Sequence, residues 1–145
     1  MKITIETPND GEEEEIIIRC HNMNERVMEL IAALKNNDIQ MTGYLDERIV
    51  KLVPKDIYYF ESVDNKVYAY TQKEVYEVRK KLYEIENEFI YTDFLRISKS
   101  IIVNLSKIKY ITPILNGKYE ARLKNEEKII ISRQYMSDLK QKLGI

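Results

Sequence analysis

The stretch FLRISKSIIVN, Phe94 to Asn104, begins and ends with the apolar residues of a buried strand but carries two cations and two hydroxyls at its centre. Phe94, Leu95 and Ile97 lie before the middle, and Ile101, Ile102 and Val103 after it. Arg96 and Lys99 bring donors that pair with anions, and Ser98 and Ser100 bring hydroxyls that donate or accept. A strand that only filled a core would have no use for such groups.

The chemistry available elsewhere does not assemble into a catalytic set. His21, the one histidine, follows the one cysteine, Cys20. Neighbours on an extended chain point to opposite faces, so the two do not chelate one metal. Ser98 and Ser100 have no histidine nearby to act as base. No G-x-G-x-x-G or Walker loop occurs, and four glycines leave little material for a phosphate cradle. Glu12–Glu15 reads as a solvated hairpin shoulder rather than an acidic metal site. The expectation is a protein without enzymatic activity, metal, cofactor or small-molecule substrate.

The 145 residues suffice for one domain with a real core and a short appendage. No apolar run reaches the ~20 residues of a bilayer span, and MKITIETPND lacks the apolar region of a signal peptide. A single cysteine excludes an internal disulfide. These features fit a cytoplasmic protein. Charge is unevenly distributed. Residues 1–38 hold four Lys/Arg against nine Asp/Glu, a net of −5, and the remainder is +4. Residues 94–145 alone hold eleven Lys/Arg against four Asp/Glu, a net of +7. An acidic front and a basic rear hint at nucleic-acid contact.

The elements that must position these residues are mainly β. Lys2–Glu6 and Ile16–Ile18 read as strands around the turn Pro8–Gly11. Val27, Leu30, Ile31 and Leu34 then form a helical stripe that Asn22 or Asn24 could cap. Asn36-Asn37-Asp38 ends this helix and marks the boundary between an extension, residues 1–38, and the domain, residues 39–145. Gln40–Leu45 and Ile49–Val53 pair as a hairpin, followed by strands Ile57–Phe60 and Val67–Tyr70. Ile108–Leu115 and Tyr119–Leu123 flank Asn116-Gly117, a strong hairpin signal, and Lys128–Ile131 is a further strand. A closing helix has Ser132 as N-cap, an apolar face of Met136, Leu139 and Leu143, and Gly144 near its end. Thr71–Phe89 reads two ways. Helical spacing and a capping box at Thr71 and Glu74 favour one helix, whereas Val75–Val78 alternates like a strand.

Three segments in order, DIYYFESVDNKVYAYT (Asp56–Thr71), FLRISKSIIVNLSKIKYI (Phe94–Ile111) and NEEKIIISRQYMSDLKQKL (Asn125–Leu143), resemble the LytTR DNA-binding domain of bacterial transcriptional regulators. In that family a strand ending in Phe/Ile-Glu leads into a polar loop. An Arg-x-His-Arg-Ser-x-x-Val-Asn core follows, and a Ser-Arg motif opens the last helix. The resemblance covers roughly residues 39–145 and is most specific at Arg96, Ser100, Val103, Asn104 and Ser132-Arg133. It implies an α+β fold, mainly β with small helices, arranged as elongated antiparallel sheets behind an N-terminal strand–helix extension. It also implies a strand at Val75–Val78 and a short helix from about Lys80 to Glu88.

The implied function is a sequence-specific, double-stranded DNA-binding transcriptional regulator. Its loops would enter successive grooves of direct-repeat operators, bound by a homodimer or by paired copies. Carried over by position, Asn65 and Lys66 reach base edges or phosphates while Asp64 orients their loop. Arg96, Ser98 and Lys99 project from the interrupted strand. Ser98 and Lys99 stand where the family has His-Arg, which removes the bidentate fork and leaves Lys99 mainly a phosphate contact. Ser132, Arg133 and Gln134 open the last helix, where Arg133 contacts a phosphate or reads a guanine.

Plainer roles stand beside these. Arg96 could pair with Glu61 or Asp93, Lys66 could be a solvated loop lysine, and Ser100 and Asn104 could hold local backbone geometry. Residues 1–38 are too short for the receiver domain many family members carry, so a receiver-free regulator is expected. The extension, residues 1–38, could serve dimerisation, dock a partner, or add strands that complete the domain's own sheet. The alternative from another class is a protein-interaction module whose partner, a membrane protein in some receiver-free relatives, docks there.

Overall fold

A computed structural model of the chain describes residues 2–35 and 39–145. Among these residues one helix, α1 (Glu25–Lys35), precedes a β-rich body. The body begins with β1 (Met41–Leu45), β2 (Arg48–Leu52), β3 (Ile57–Val63), β4 (Lys66–Thr71), β5 (Val75–Val78) and α2 (Leu82–Glu88). It continues through β6 (Phe94–Arg96), β7 (Ile101–Asn104), β8 (Ile108–Pro113), β9 (Tyr119–Leu123), β10 (Lys128–Ile131) and α3 (Met136–Leu143). The strands form a seven-stranded antiparallel sheet, order β2-β1-β5-β4-β3-β7-β6, and a three-stranded one, order β10-β9-β8.

The larger sheet is the middle layer because both of its faces are apolar. In β3 a register shift between Ile57 and Tyr59 breaks the strict alternation. Ile57 and Phe60 therefore join one core, while Tyr58 and Tyr59 both join the other. On the first face α2 lays Leu82 and Ile85, followed by Phe89, against Phe60, Val67, Ala69, Val78 and Ile102. On the second face Tyr58, Tyr59, Ile97 and Val103 meet Ala121, Leu123, Ile129 and Ile131 of the small sheet and Met136 and Leu139 of α3. Each buried Val, Leu, Ile, Phe or Met side chain among these contributes about 1.5–3 kcal/mol by leaving water. Asn104, 2% exposed, lies among them because both ends of its amide are hydrogen-bonded. Its Nδ2 donates to the Ile57 carbonyl at 2.9 Å, and its Oδ1 accepts from Ser106 N at 3.1 Å and Ser106 Oγ at 2.7 Å.

Several expectations are corrected. Lys2–Glu6 and Ile16–Ile18 join no ladder; two short strands without a third to cover them gain too little to stay paired. The turn between them does form, with Glu12 N donating to Asn9 O at 3.1 Å. Asn24, not Asn22, caps α1, its Oδ1 accepting from Val27 N at 3.0 Å. The boundary at Asn36-Asn37-Asp38 lies outside the described residues. Thr71–Phe89 is not one helix. Thr71 Oγ1 donates to Glu74 O at 2.8 Å and accepts from Glu74 N at 3.1 Å, which closes a turn between β4 and β5. The strand and short helix implied by the family pattern are the ones present. Ser132 makes no side-chain cap. A 3₁₀ turn, Arg133–Tyr135, follows it, and α3 starts only at Met136. Leu143 remains exposed, whereas Gly144 takes the left-handed cap conformation at φ 75°.

Candidate nucleic-acid interface

The loop between β6 and β7 is narrow at its base. Ile97 N donates to Ile101 O at 3.0 Å, and the Ile97 side chain is fully buried in the second core. Above this base the guanidinium of Arg96 folds back on its own loop. Its Nε donates to Ser98 O at 2.8 Å and its Nη2 to Lys99 O, while Nη1 lies 3.8 Å from Glu86 Oε1 of α2. The expected partners Glu61 and Asp93 are not used; Glu86 takes their place. Ser98 Oγ accepts from Ser100 N at 3.2 Å. Arg96 and Ser98 thus hold the loop's shape, and Lys99 is left pointing outward at its tip.

Two further segments are tied to this loop through the backbone. Ser62 N donates to Ser100 O at 2.8 Å, which sets the β3–β4 hairpin beside it. The tip of that hairpin is a two-residue turn with Asp64 at φ 51° and Asn65 at φ 64°, closed by the pair Val63 and Lys66. Both central residues are left-handed, as the tightest hairpins require. Ser132 N donates to Ile97 O at 2.9 Å, which brings in the turn carrying Arg133 and Gln134. The β8–β9 tip then closes over Arg133. A Cβ built on Gly117 would lie 2.7 Å from Arg133 Cδ, and Gly117 itself has φ 71°.

The result is an open cleft of about 630 Å³ lined by Ser98, Lys99, Ser100, Asn116, Lys118, Ser132, Arg133 and Gln134. Five of the eight residues expected from the sequence, Ser98, Lys99, Ser132, Arg133 and Gln134, meet there. Asn65 and Lys66 lie on the neighbouring hairpin tip, and Arg96 lies beneath the loop. Asn116 and Lys118 were missed, because Asn116-Gly117 reads in sequence only as a turn.

No carboxylate lines the cleft. Lys66, Lys99, Lys118 and Arg133 are exposed and lack an acidic partner among the described residues, whereas Lys109, Arg122 and Lys128 are paired with Glu126 or Glu120. Unneutralised cations on adjoining loops raise a positive potential that attracts a polyanion. Among the described residues no group of His, Cys, Asp and Glu is placed to hold a metal ion.

The family model of the LytTr DNA-binding domain matches residues 47–144. The chain belongs to the LytTR DNA-binding family. Among its relatives are uncharacterized HTH-type transcriptional regulators of Staphylococcus aureus. The one from strain NCTC 8325 is 31% identical over all of this chain and 99% of its own length. The one from strain MRSA252 is 30% identical over the same shares. The fold matches the LytTr DNA-binding domain of a Bacillus cereus protein described as a methyl-accepting/DNA response regulator. The TM-score is 0.69 and the identity 24%, over 73% of this chain and 97% of that one. In this LytTR chain α1, α2 and α3 are separated by strands, so two loops between strands and the turn from β10 into α3, not consecutive helices, build the cleft. No helix among the described residues is long and apolar enough to cross a membrane.

Proposed function

We propose that this protein is a transcriptional regulator that reads double-stranded DNA in sequence-specific fashion, with no catalytic step and no receiver domain in residues 1–38. The observation that carries this reading is the acid-free cleft, in which Lys99 and Arg133 converge from segments joined by the Ser132–Ile97 backbone hydrogen bond and Lys118 from the β8–β9 tip packed on Arg133. Lys66, Lys99 and Lys118 take phosphates. Affinity therefore falls steeply with salt, because each neutralised phosphate releases counterions. Arg133 reads a guanine through its fork, with Asn65 and Gln134 as secondary base contacts, each bidentate pair discriminating by about 1–3 kcal/mol. Residues 39–145 form the DNA-binding domain, two copies occupy a direct repeat, and the protein works in the cytoplasm beside its target.

Anisotropy binding to the duplex upstream of the protein's own gene, against a shuffled duplex at two salt concentrations, tests the reading. Tighter, salt-sensitive binding to the native duplex supports it. Equal binding to both, unchanged in Lys99→Ala and Arg133→Ala, removes the cleft as the DNA surface. A second reading, in which residues 1–38 dock a protein partner, draws support from the exposure of Ile3, Ile5, Ile16 and Ile17.

A further inference from the structure

The seven-stranded sheet ends at β2 on one side and at β6 on the other. Each outer strand presents a row of backbone N–H and C=O groups that pair with no further strand. β6 is three residues long, and its Arg96 is turned back on the neighbouring loop. β2 is five residues long, is paired with β1 along its whole length, and shows Arg48, Ile49 and Lys51 to solvent, with Ile49 73% exposed. Cations on an edge keep two like edges from pairing, a common protection against aggregation. They offer no such protection against an acidic strand.

The chain carries such a strand. Ile16, Ile17 and Ile18 follow Glu12–Glu15 directly, take part in no ladder and stand in solvent, Ile17 at 64% exposure. A β-branched run suits a pleated, half-buried surface. With Ile17 antiparallel and opposite Ile49, Glu15 falls opposite Lys51 and Ile16 opposite Val50. Val50 packs against the first core, so Ile16 would extend that core while Ile17 and Glu15 lie with Ile49 and Lys51 on the other face.

We propose that the segment Glu12–Ile18 of one copy adds as an eighth strand to β2 of a second copy. The occupant is this chain itself because donor and acceptor match in charge and pattern, acidic and apolar against cationic and apolar. Within one chain the arm leaves the β2 edge open. Donor and acceptor are different surfaces, so the contact is head-to-tail.

Sedimentation velocity on the full chain, with Ile17→Asp as arm variant and Ile49→Asp/Lys51→Glu as edge variant, tests this. All three positions are exposed, and circular dichroism checks that each variant is folded. The wild type should self-associate, and each variant should do so about tenfold or more weakly. An equimolar mixture of the two variants should form a one-to-one complex through the one intact arm and the one intact edge. A wild type that stays monomeric at about 100 μM, or a mixture that does, overturns the proposal. Association lost in the arm variant but kept in the edge variant overturns β2 as the acceptor.

Discussion

The amide of Ser132 donates to the carbonyl of Ile97 at 2.9 Å, joining two segments 35 positions apart in the chain at the floor of the cleft. Ile97 and Ile131, the residue before Ser132, are both fully buried in the second core. The loop carrying Lys99 and the turn carrying Arg133 are therefore held at their bases by apolar packing and a backbone bond. The outward side chains have no part in that anchoring. Substituting them should alter binding while leaving the fold intact, and substituting what anchors them should weaken both binding and the fold.

Arg96 and Lys99 separate these two effects. Lys99→Ala removes an exposed, unpaired cation. Binding should weaken on all duplexes, and the slope of log affinity against log salt should flatten by about 0.9. Arg96→Ala removes the bonds to Ser98 O and Lys99 O. It should cost about 2 kcal/mol of stability and weaken DNA binding, with the slope unchanged. Denaturant midpoints and salt titrations of both variants decide it; a flattened slope in Arg96→Ala would mean that its charge also meets DNA.

Gly117 is confined twice over, by its φ of 71° and by Arg133 Cδ at 2.7 Å from where a Cβ would stand. Gly117→Ala should destabilise by about 1–2 kcal/mol through backbone strain. It should also push Arg133 aside, reducing the preference for native over shuffled duplex more than the affinity for the shuffled one. An unaltered ratio of the two affinities would place Arg133 outside base reading.

How far the sequence discloses this arrangement depends on the range of the interactions involved. Asn116-Gly117 announces its hairpin because left-handed turn chemistry is local. The split of Thr71–Phe89 is not local, since Val75 and Val78 fit the helical spacing of the longer segment while Val75–Val78 by itself also reads as a short strand. Pairing of Val78 with Val67 on β4 decides it, in favour of the one of the two open readings that the family pattern selected. Ser98, Lys99 and Arg133 were placed by motif and do meet in one cleft. Arg96 was expected to project because nothing in FLRISKS says that its fork turns back on its own loop. Lys118 went unnoticed because its nearness to Arg133 comes from the pairing of β9 with β10, which sets Tyr119 opposite Ile131. The strands expected at Lys2–Glu6 and Ile16–Ile18 have the right composition, but strand formation needs a partner edge that composition cannot supply.

Asn104 shows what the polar end of FLRISKSIIVN does. Its amide bridges the start of β3 and the turn after β7 and makes no approach to the cleft. Asn104→Ala leaves the Ile57 carbonyl and Ser106 without these partners in a buried place, at a cost of about 2–3 kcal/mol. The midpoint of urea unfolding should fall accordingly. DNA affinity, measured well below that midpoint, should stay within about twofold, a few tenths of a kcal/mol.

Tyr59 and Tyr70 stack at 4.2 Å between the sheets, and Tyr70 donates its hydroxyl to Glu61 Oε1 at 2.9 Å. Burial, with Glu61 beside it, pushes the Tyr70 phenol up to about 12, and burial together with Glu127 raises that of Tyr59 as well. Both groups stay protonated in the fold at a pH where the unfolded chain has begun to release its protons at about 10. Their contribution to stability is therefore complete below about pH 10 and is lost as pH rises from there towards the folded-state value. Unfolding midpoints should be flat from about pH 7 to 9 and fall above about pH 10. Tyr70→Phe, which keeps the stack and removes one titrating group, should make that fall shallower. An alkaline slope identical in the two proteins would assign the transition to groups other than Tyr70.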